Sequence, residues 1–128
     1  GKSFGGRMTS QAQSIGPLEN VRGIVFFGFP LHPAGKPGTE RADHLAKIEI
    51  PMLFLQGTRD PLATLDLLTG VVASLGSLAT LVLAGGADHS FHVPAKSKRT
   101  DEEVLDELLN AVREWMQTVA ERSLTARA

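Results

Sequence analysis

The sequence has 128 residues, of which 42% are hydrophobic and 21% charged, a balance typical of one globular domain with one core. Its formal net charge of −1 gives no general attraction for nucleic acid or an anionic membrane, and we expect neither as a partner. The absence of cysteine excludes disulfides and thiolate metal sites and favours a cytoplasmic location.

The first half of the chain predicts a helix, a strand and a long loop. Small and polar residues follow Ser3 and predict a helix that ends at Gly16-Pro17. The run GIVFFGF at 23–29 predicts a strand buried on both faces. The loop PLHPAGKPGTE at 30–40 is long enough to suggest a function, and a short helix is expected at 41–47.

The second half repeats the alternation of strands and helices. We predict a buried strand at 50–56, a helix at 61–75 closed by Gly76, and a third buried strand at 80–84. Thr100 and Glu103 form a T-x-x-E capping box before an amphipathic helix with one apolar stripe, which we expect to be core. The tail at 121–128 is expected to fray.

Apolar strands that alternate with helices predict an α/β fold with a parallel sheet flanked by helices. In open sheets of this kind, functional groups gather where the strands end, at their carboxyl edge. Candidate site residues are therefore those that directly follow a strand.

The opening GKSFG fits two motifs, the end of a phosphate-binding loop or the G-x-S-x-G turn that presents a nucleophilic serine. A phosphate-binding loop needs an acid at the end of a later strand to hold magnesium, and neither GIVFFGFP nor TLVLAGG supplies one. A nucleophilic Ser3 needs an acid and then a histidine after later strands. Asp60 follows the second strand and His89 the third, in that order.

Each of these residue types has a chemical role. His89 would take the proton of the Ser3 hydroxyl, which is otherwise a poor nucleophile. Asp60 would hold the imidazole in one tautomer and stabilise its cation. The backbone N–H of Phe4 would donate to the oxyanion of the intermediate.

Structural roles compete with the catalytic ones. Ser3 is also suited to cap a helix, and Asp60 before Pro61 is suited to start one. Asp60 can hold both roles only if it shares its carboxylate between them. Asp88 is expected to point away from the site.

The other histidines have weaker claims. His92 is a second candidate for the base. His32 is expected to be a solvated loop residue, and His44 a residue on a helix surface.

The stretches GKSFGGR, GIVFFGFPLHPAGKP, PMLFLQGTRDPLA and GGADHSFHV resemble the alpha/beta-hydrolase fold. They are most similar to its dienelactone-hydrolase-like branch, which includes testis-expressed protein 30 and bacterial relatives. The resemblance implies a serine hydrolase with a small-molecule acyl substrate, a site at Ser3, Asp60 and His89, and neither cofactor nor metal. Some relatives serve as protein-interaction modules, so a non-catalytic module that binds a protein partner is the alternative.

The resembled fold has several strands before its serine, including one that leads into it. We therefore expect residues 1–128 to be the C-terminal part of one hydrolase domain that starts at the nucleophile turn. Such a part is expected to be inactive by itself.

Overall fold

The computed structural model describes residues 1–127, with side chains for residues 1–122. Helices and strands alternate along it, as predicted. In chain order they are α1 (Phe4–Ile15), β1 (Ile24–Phe27), a 3-10 helix (Glu40–Lys47), β2 (Met52–Gly57), α2 (Leu65–Ser74), a 3-10 turn (Gly76–Leu78), β3 (Ala79–Ala84), a second 3-10 turn (Ala95–Ser97) and α3 (Asp101–Arg127). Helix α3 continues to Arg127, so the prediction that the tail at 121–128 frays is wrong for residues 121–127, and residue 128 lies outside the described ones.

The three strands form one parallel sheet in the order β1-β2-β3, which confirms the predicted α/β class. Every residue of the central strand β2 is buried, which explains its continuous apolar run. Burial of β3 was predicted wrongly, because β3 lies at the edge of this sheet and exposes Thr80 and Leu83. All three strands end at the same edge, which is where the candidate residues are expected.

Apolar layers cover both faces of the sheet. On one face, Phe26 stacks on Phe54 with ring centroids 4.6 Å apart, and Phe29 meets Phe26 edge-on at 5.2 Å. On the other face, Leu53 and Leu55 belong to a cluster with buried residues of α3. Burying side chains of this size contributes about 1.5–3 kcal/mol each to the stability of the fold. The sheet, at whose carboxyl edge the candidate residues lie, is therefore stabilised on both faces.

The first residues of the chain extend the sheet beside β1. Lys2 pairs with Phe27 in parallel, the Phe27 N–H donates to the Gly1 carbonyl at 2.9 Å, and the Ser3 N–H donates to the Phe27 carbonyl at 3.0 Å. We expected the strand that leads into Ser3 to be missing. Residues 1–3 form one isolated bridge with Phe27 instead of a regular strand, and this pairing places Ser3 at the carboxyl edge.

The short helix expected at 41–47 is a 3-10 helix that begins at Glu40, and the largest difference from the predicted helix bounds is at the start of α2. Helix α2 begins at Leu65 instead of 61, because Asp60 and Pro61 start a turn in which the Ala63 N–H donates to the Asp60 carbonyl at 3.3 Å. The expected stop at Gly76 is confirmed by its left-handed φ of 66°.

Helix α3 begins after the predicted cap, since the Glu103 N–H donates to the Thr100 hydroxyl at 3.1 Å. Its apolar stripe was expected to be core throughout. Val104 and Leu108 are buried, but Leu105, Leu109 and Met116 stay about half exposed. No helix in the described part of the chain has the length and apolar character needed to cross a membrane.

Candidate active site

Ser3 sits at a sharp turn between the extended start of the chain and helix α1. Its φ is 51° and its ψ −124°, a left-handed conformation that a non-glycine residue adopts at a cost of about 1–3 kcal/mol. The Ser3 carbonyl accepts from the N–H groups of Gly6 and Arg7, while its side chain makes no capping hydrogen bond. The hydroxyl is therefore not used as a helix cap, and the competing structural role for Ser3 is not observed.

His89 lies in the turn that follows β3, and its ring faces Ser3. The distance from the Ser3 Oγ to the His89 Nε2 is 2.7 Å. Asp88 points away, as predicted, since its Oδ1 accepts from the N–H groups of Ser90 and His92. Those two bonds fix the turn that orients the imidazole.

Asp60 supports the imidazole from the side opposite Ser3. Its Oδ2 lies 2.7 Å from the His89 Nδ1, and its side chain is completely buried. A carboxylate only accepts hydrogen bonds, so Nδ1 carries the ring proton and Nε2 of the neutral ring is left to accept from the Ser3 hydroxyl. The structure thus brings together the three side chains that the sequence predicted.

Asp60 also has a structural role, and the two roles share the carboxylate. Its Oδ1 accepts from the Leu62 N–H at 2.8 Å, which stabilises the turn before α2. It does not cap that helix, because the residue at the capping position is Thr64. The predicted role of Asp60 as the start of the helix is therefore wrong, and its carboxylate is instead shared between His89 and the turn before α2.

A close approach of two backbones brings the carboxylate and the imidazole together. A Cβ placed on Gly57, at the end of β2, would lie 2.3 Å from the Ala87 carbonyl oxygen. In the same region the backbone N–H of Arg59 donates to the Ala87 carbonyl at 2.9 Å, and the backbone N–H of Thr58 donates to the Ala84 carbonyl at 3.1 Å. Glycine at position 57 is therefore needed for the turns after β2 and β3 to meet.

Sequence reasoning missed Gln56, a fully buried residue of β2. Its side-chain nitrogen donates to the Asp60 Oδ2, and its side-chain oxygen accepts from the Phe29 N–H at 3.1 Å. A signal was present, since a polar residue inside an otherwise apolar strand must find partners for its buried amide.

His32 was predicted to be solvated, and this prediction is wrong: only 3% of the residue is exposed. Its Nδ1 donates to the Pro33 carbonyl at 2.8 Å, and its Nε2 accepts from the backbone N–H of Thr64 at 2.9 Å. The backbone N–H of His32 also donates to the Leu62 carbonyl at 3.0 Å. These contacts attach the start of the 30–40 loop to the turn that carries Asp60, while residues 33–37 of the loop are exposed.

His44 is also less exposed than predicted, because the 3-10 helix packs on α1. Its Nε2 lies 2.6 Å from the Oγ of the buried Ser10. Burial, followed by repulsion from Arg7, lowers the pKa of His44. His44 therefore links two helices and stands outside the group formed by Ser3, His89 and Asp60.

His92, the second candidate for the base, pairs with a different acid. Its Nδ1 lies 2.6 Å from the Asp101 Oδ2, and the Val93 N–H donates to the Asp101 Oδ1 at 2.9 Å. The hydrogen bond to Asp101 raises the pKa of His92. Within residues 1–122, no three histidine or carboxylate side chains are grouped so as to hold a metal ion.

Comparison with known proteins gives two findings. The family profile described as an alpha/beta hydrolase domain matches residues 1–117. A solved structure of an alpha-beta serine hydrolase homologue from Coxiella burnetii aligns with a TM-score of 0.63 at 20% sequence identity, over 89% of this chain and 46% of that one. The chain thus spans about half the length of the solved homologue, with a similar fold.

Proposed function

Because the chain belongs to the alpha/beta hydrolase domain family, we propose that it supplies the reactive groups of a serine hydrolase that cleaves an ester or a related acyl bond. The observation that carries this proposal is the continuous hydrogen-bonded series from the Ser3 hydroxyl through His89 to Asp60, with both bonds 2.7 Å long. This order of hydroxyl, imidazole and buried carboxylate is the one that nucleophilic acyl transfer needs.

The first half-reaction follows from these positions. The Ser3 Oγ attacks the acyl carbon while its proton passes to the His89 Nε2, and Asp60 stabilises the resulting imidazolium. The N–H of Phe4 is the first of α1 and has no partner within that helix, so it is free to donate to the oxyanion. As the intermediate collapses, the bond to the leaving oxygen breaks and His89 returns the proton to it.

The second half-reaction uses the same groups with water as the nucleophile. His89 takes a proton from water, the hydroxide adds to the acyl carbon, and Ser3 leaves with the proton that His89 returns. All groups in this scheme are side chains, backbone N–H groups and water, so no cofactor or metal is proposed. A small-molecule acyl substrate is proposed from the resemblance to the dienelactone-hydrolase-like branch.

A fluorophosphonate probe, which phosphonylates an activated serine, tests the proposal. Because residues 1–128 are expected to be inactive by themselves, the full-length protein is the parent in this experiment. We expect it to be labelled and Ser3→Ala to lose all labelling. Ser10→Ala is the matched control, because Ser10 is also bonded to a histidine but is buried, and that histidine is hydrogen-bonded to the Arg41 backbone instead of to a carboxylate. This variant should label like the parent.

The opposite result would favour the alternative function. If the folded parent protein is not labelled, or if Ser3→Ala is labelled as fast as the parent, the chain is not acting as a serine hydrolase through Ser3. A non-catalytic module that binds a protein partner would then be the better explanation. Circular dichroism of each variant separates these outcomes from unfolding.

A further inference from the structure

Gln56 connects two parts of the site that are distant in sequence. It lies on β2 with no exposed surface, between the loop that follows β1 and the turn that carries Asp60. Phe29, at the start of that loop, donates its N–H to the Gln56 oxygen at 3.1 Å. A backbone N–H can only donate, so the amide oxygen must face Phe29 and the NH₂ group must face Asp60.

This orientation gives the carboxylate of Asp60 a third donor. Its Oδ1 accepts from the Leu62 N–H, while its Oδ2 accepts from both Gln56 and His89. A carboxylate that is completely buried has no water to complete its hydrogen bonding, so each protein donor strongly affects its position. The Leu62 bond fixes one oxygen, and Gln56 is the neutral donor that fixes the other.

We propose that Gln56 is a positioning residue that holds the Asp60 Oδ2 toward His89, and that it thereby keeps the imidazole in the tautomer with the proton on Nδ1. The expected effect on the reactivity of Ser3 rests on the proposed function, whereas the position of the Asp60 carboxylate and the tautomer of His89 do not. The hydrogen bonds exist whether or not Ser3 reacts. Without the Gln56 donor only the Leu62 bond at Oδ1 restrains the carboxylate from the protein backbone, and Oδ2 turns away from His89 in part of the molecules. In those molecules Nε2 is protonated and cannot accept from Ser3.

Substitution of Gln56 by methionine tests the proposal, because methionine has a similar volume and shape but no amide. Gln13→Met is the matched control. Gln13 is also buried and also accepts from a backbone N–H, that of Leu18 at 3.0 Å, but it belongs to α1 and has no contact with Asp60. Both variants lose one side-chain–backbone bond, which is buried at Gln56 and partly buried at Gln13, and only Gln56→Met loses the donor to Oδ2.

Two measurements give the result. Long-range proton–nitrogen NMR spectra show which nitrogen of His89 carries the proton, with His89→Gln used to assign the signals. We expect the parent and Q13M to hold the proton on Nδ1, and Q56M to show a mixture of tautomers. Labelling by the fluorophosphonate probe should slow about tenfold in Q56M and stay within about twofold of the parent in Q13M.

A folded Q56M whose His89 keeps a single Nδ1-protonated tautomer overturns the proposal, and so does an equal tautomer change in Q13M. If the parent protein is never labelled, the proposed function fails while the NMR comparison still decides the role of Gln56. If Q56M does not fold, Gln56→Asn takes its place, because its shorter amide cannot reach both partners. The same tautomer mixture is then expected.

Discussion

His89 and His92 lie three residues apart in the chain, and each is paired with a carboxylate at nearly the same distance. The Nδ1–Oδ2 distance is 2.7 Å for His89 and Asp60 and 2.6 Å for His92 and Asp101. Their surroundings differ: 20% of the His89 side chain and none of the Asp60 side chain are exposed, against 66% and 50% in the second pair. A hydrogen-bond length alone therefore does not separate a candidate catalytic pair from a surface pair.

Burial and a third partner make the difference. In a buried site the local dielectric constant is low, and a carboxylate acts more strongly on its neighbour than the same carboxylate in water. The buried pair continues to the hydroxyl of Ser3 through the second ring nitrogen. The exposed pair joins the turn after β3 to the start of α3, and its energy is screened by solvent.

The largest expected effect is the difference in labelling rate between variants of the two carboxylates, Asp60 and Asp101. Asp60→Asn should slow fluorophosphonate labelling by roughly 10³–10⁴-fold, because an amide in place of the carboxylate favours the wrong tautomer of His89. Asp101→Asn makes the same chemical change in the exposed pair and should alter the labelling rate by no more than about twofold. Equal losses in the two variants would remove the distinction between the pairs.

A smaller effect concerns the space around His89. Gly28 has a φ of 74°, and a Cβ placed there would lie 3.2 Å from the His89 Cε1 and 3.3 Å from its carbonyl oxygen. Gly28→Ala should therefore displace the imidazole and slow labelling about tenfold. It should also destabilise the fold by about 1–2 kcal/mol through backbone strain, measured by urea unfolding.

Gly35→Ala is the control for that experiment, because Gly35 has a nearly equal φ of 75° but nothing within 4 Å of its Cβ position. It should show a similar strain and an unchanged labelling rate. If Gly35→Ala slows labelling as much as Gly28→Ala, the contact with His89 is not the cause.

The smallest effect is the pH dependence of the exposed pair. The hydrogen bond to Asp101 raises the pKa of His92 above 6.5, and the same bond lowers the pKa of Asp101 below 3.8. The stabilisation from His92 is present below pH 6.5 and is lost as the pH rises through its raised pKa. That from Asp101 is present above pH 3.8 and is lost as the pH falls through its lowered pKa.

His92→Gln should therefore lower the melting temperature most at about pH 5, by at most a few degrees, and should leave it unchanged at alkaline pH. Scanning calorimetry across this range is the measurement. Asp101→Asn should cause a larger loss at about pH 5, because the Asp101 Oδ1 also accepts from the Val93 N–H. Adding His92→Gln to that variant should cause no further loss, since the interaction of His92 with Asp101 is already broken. If His92→Gln still lowers the melting temperature at alkaline pH, the loss does not come from the interaction of protonated His92 with Asp101.

The sequence predicted the parts of the site that depend on order along the chain. Ser3, Asp60 and His89 were found because each follows an extended segment, and parallel strands end at a common edge. His32 and His44 were misjudged because their burial depends on contacts with Thr64 and Ser10, residues that are more than 30 positions away from them. Local composition around a loop histidine carries no information on such contacts.

By itself, the sequence determined the alternation of strands and helices and the residues that end them, because apolar periodicity, glycine, proline and capping residues act over a few positions. Only the tertiary structure decided how Asp60 divides its two oxygens, that Gln56 donates to one of them, and which of two similar histidine–carboxylate pairs is buried. Those properties arise when β2 is covered on both faces and the turns after β2 and β3 meet at Gly57. They depend on the exclusion of water by distant segments, which local sequence does not encode.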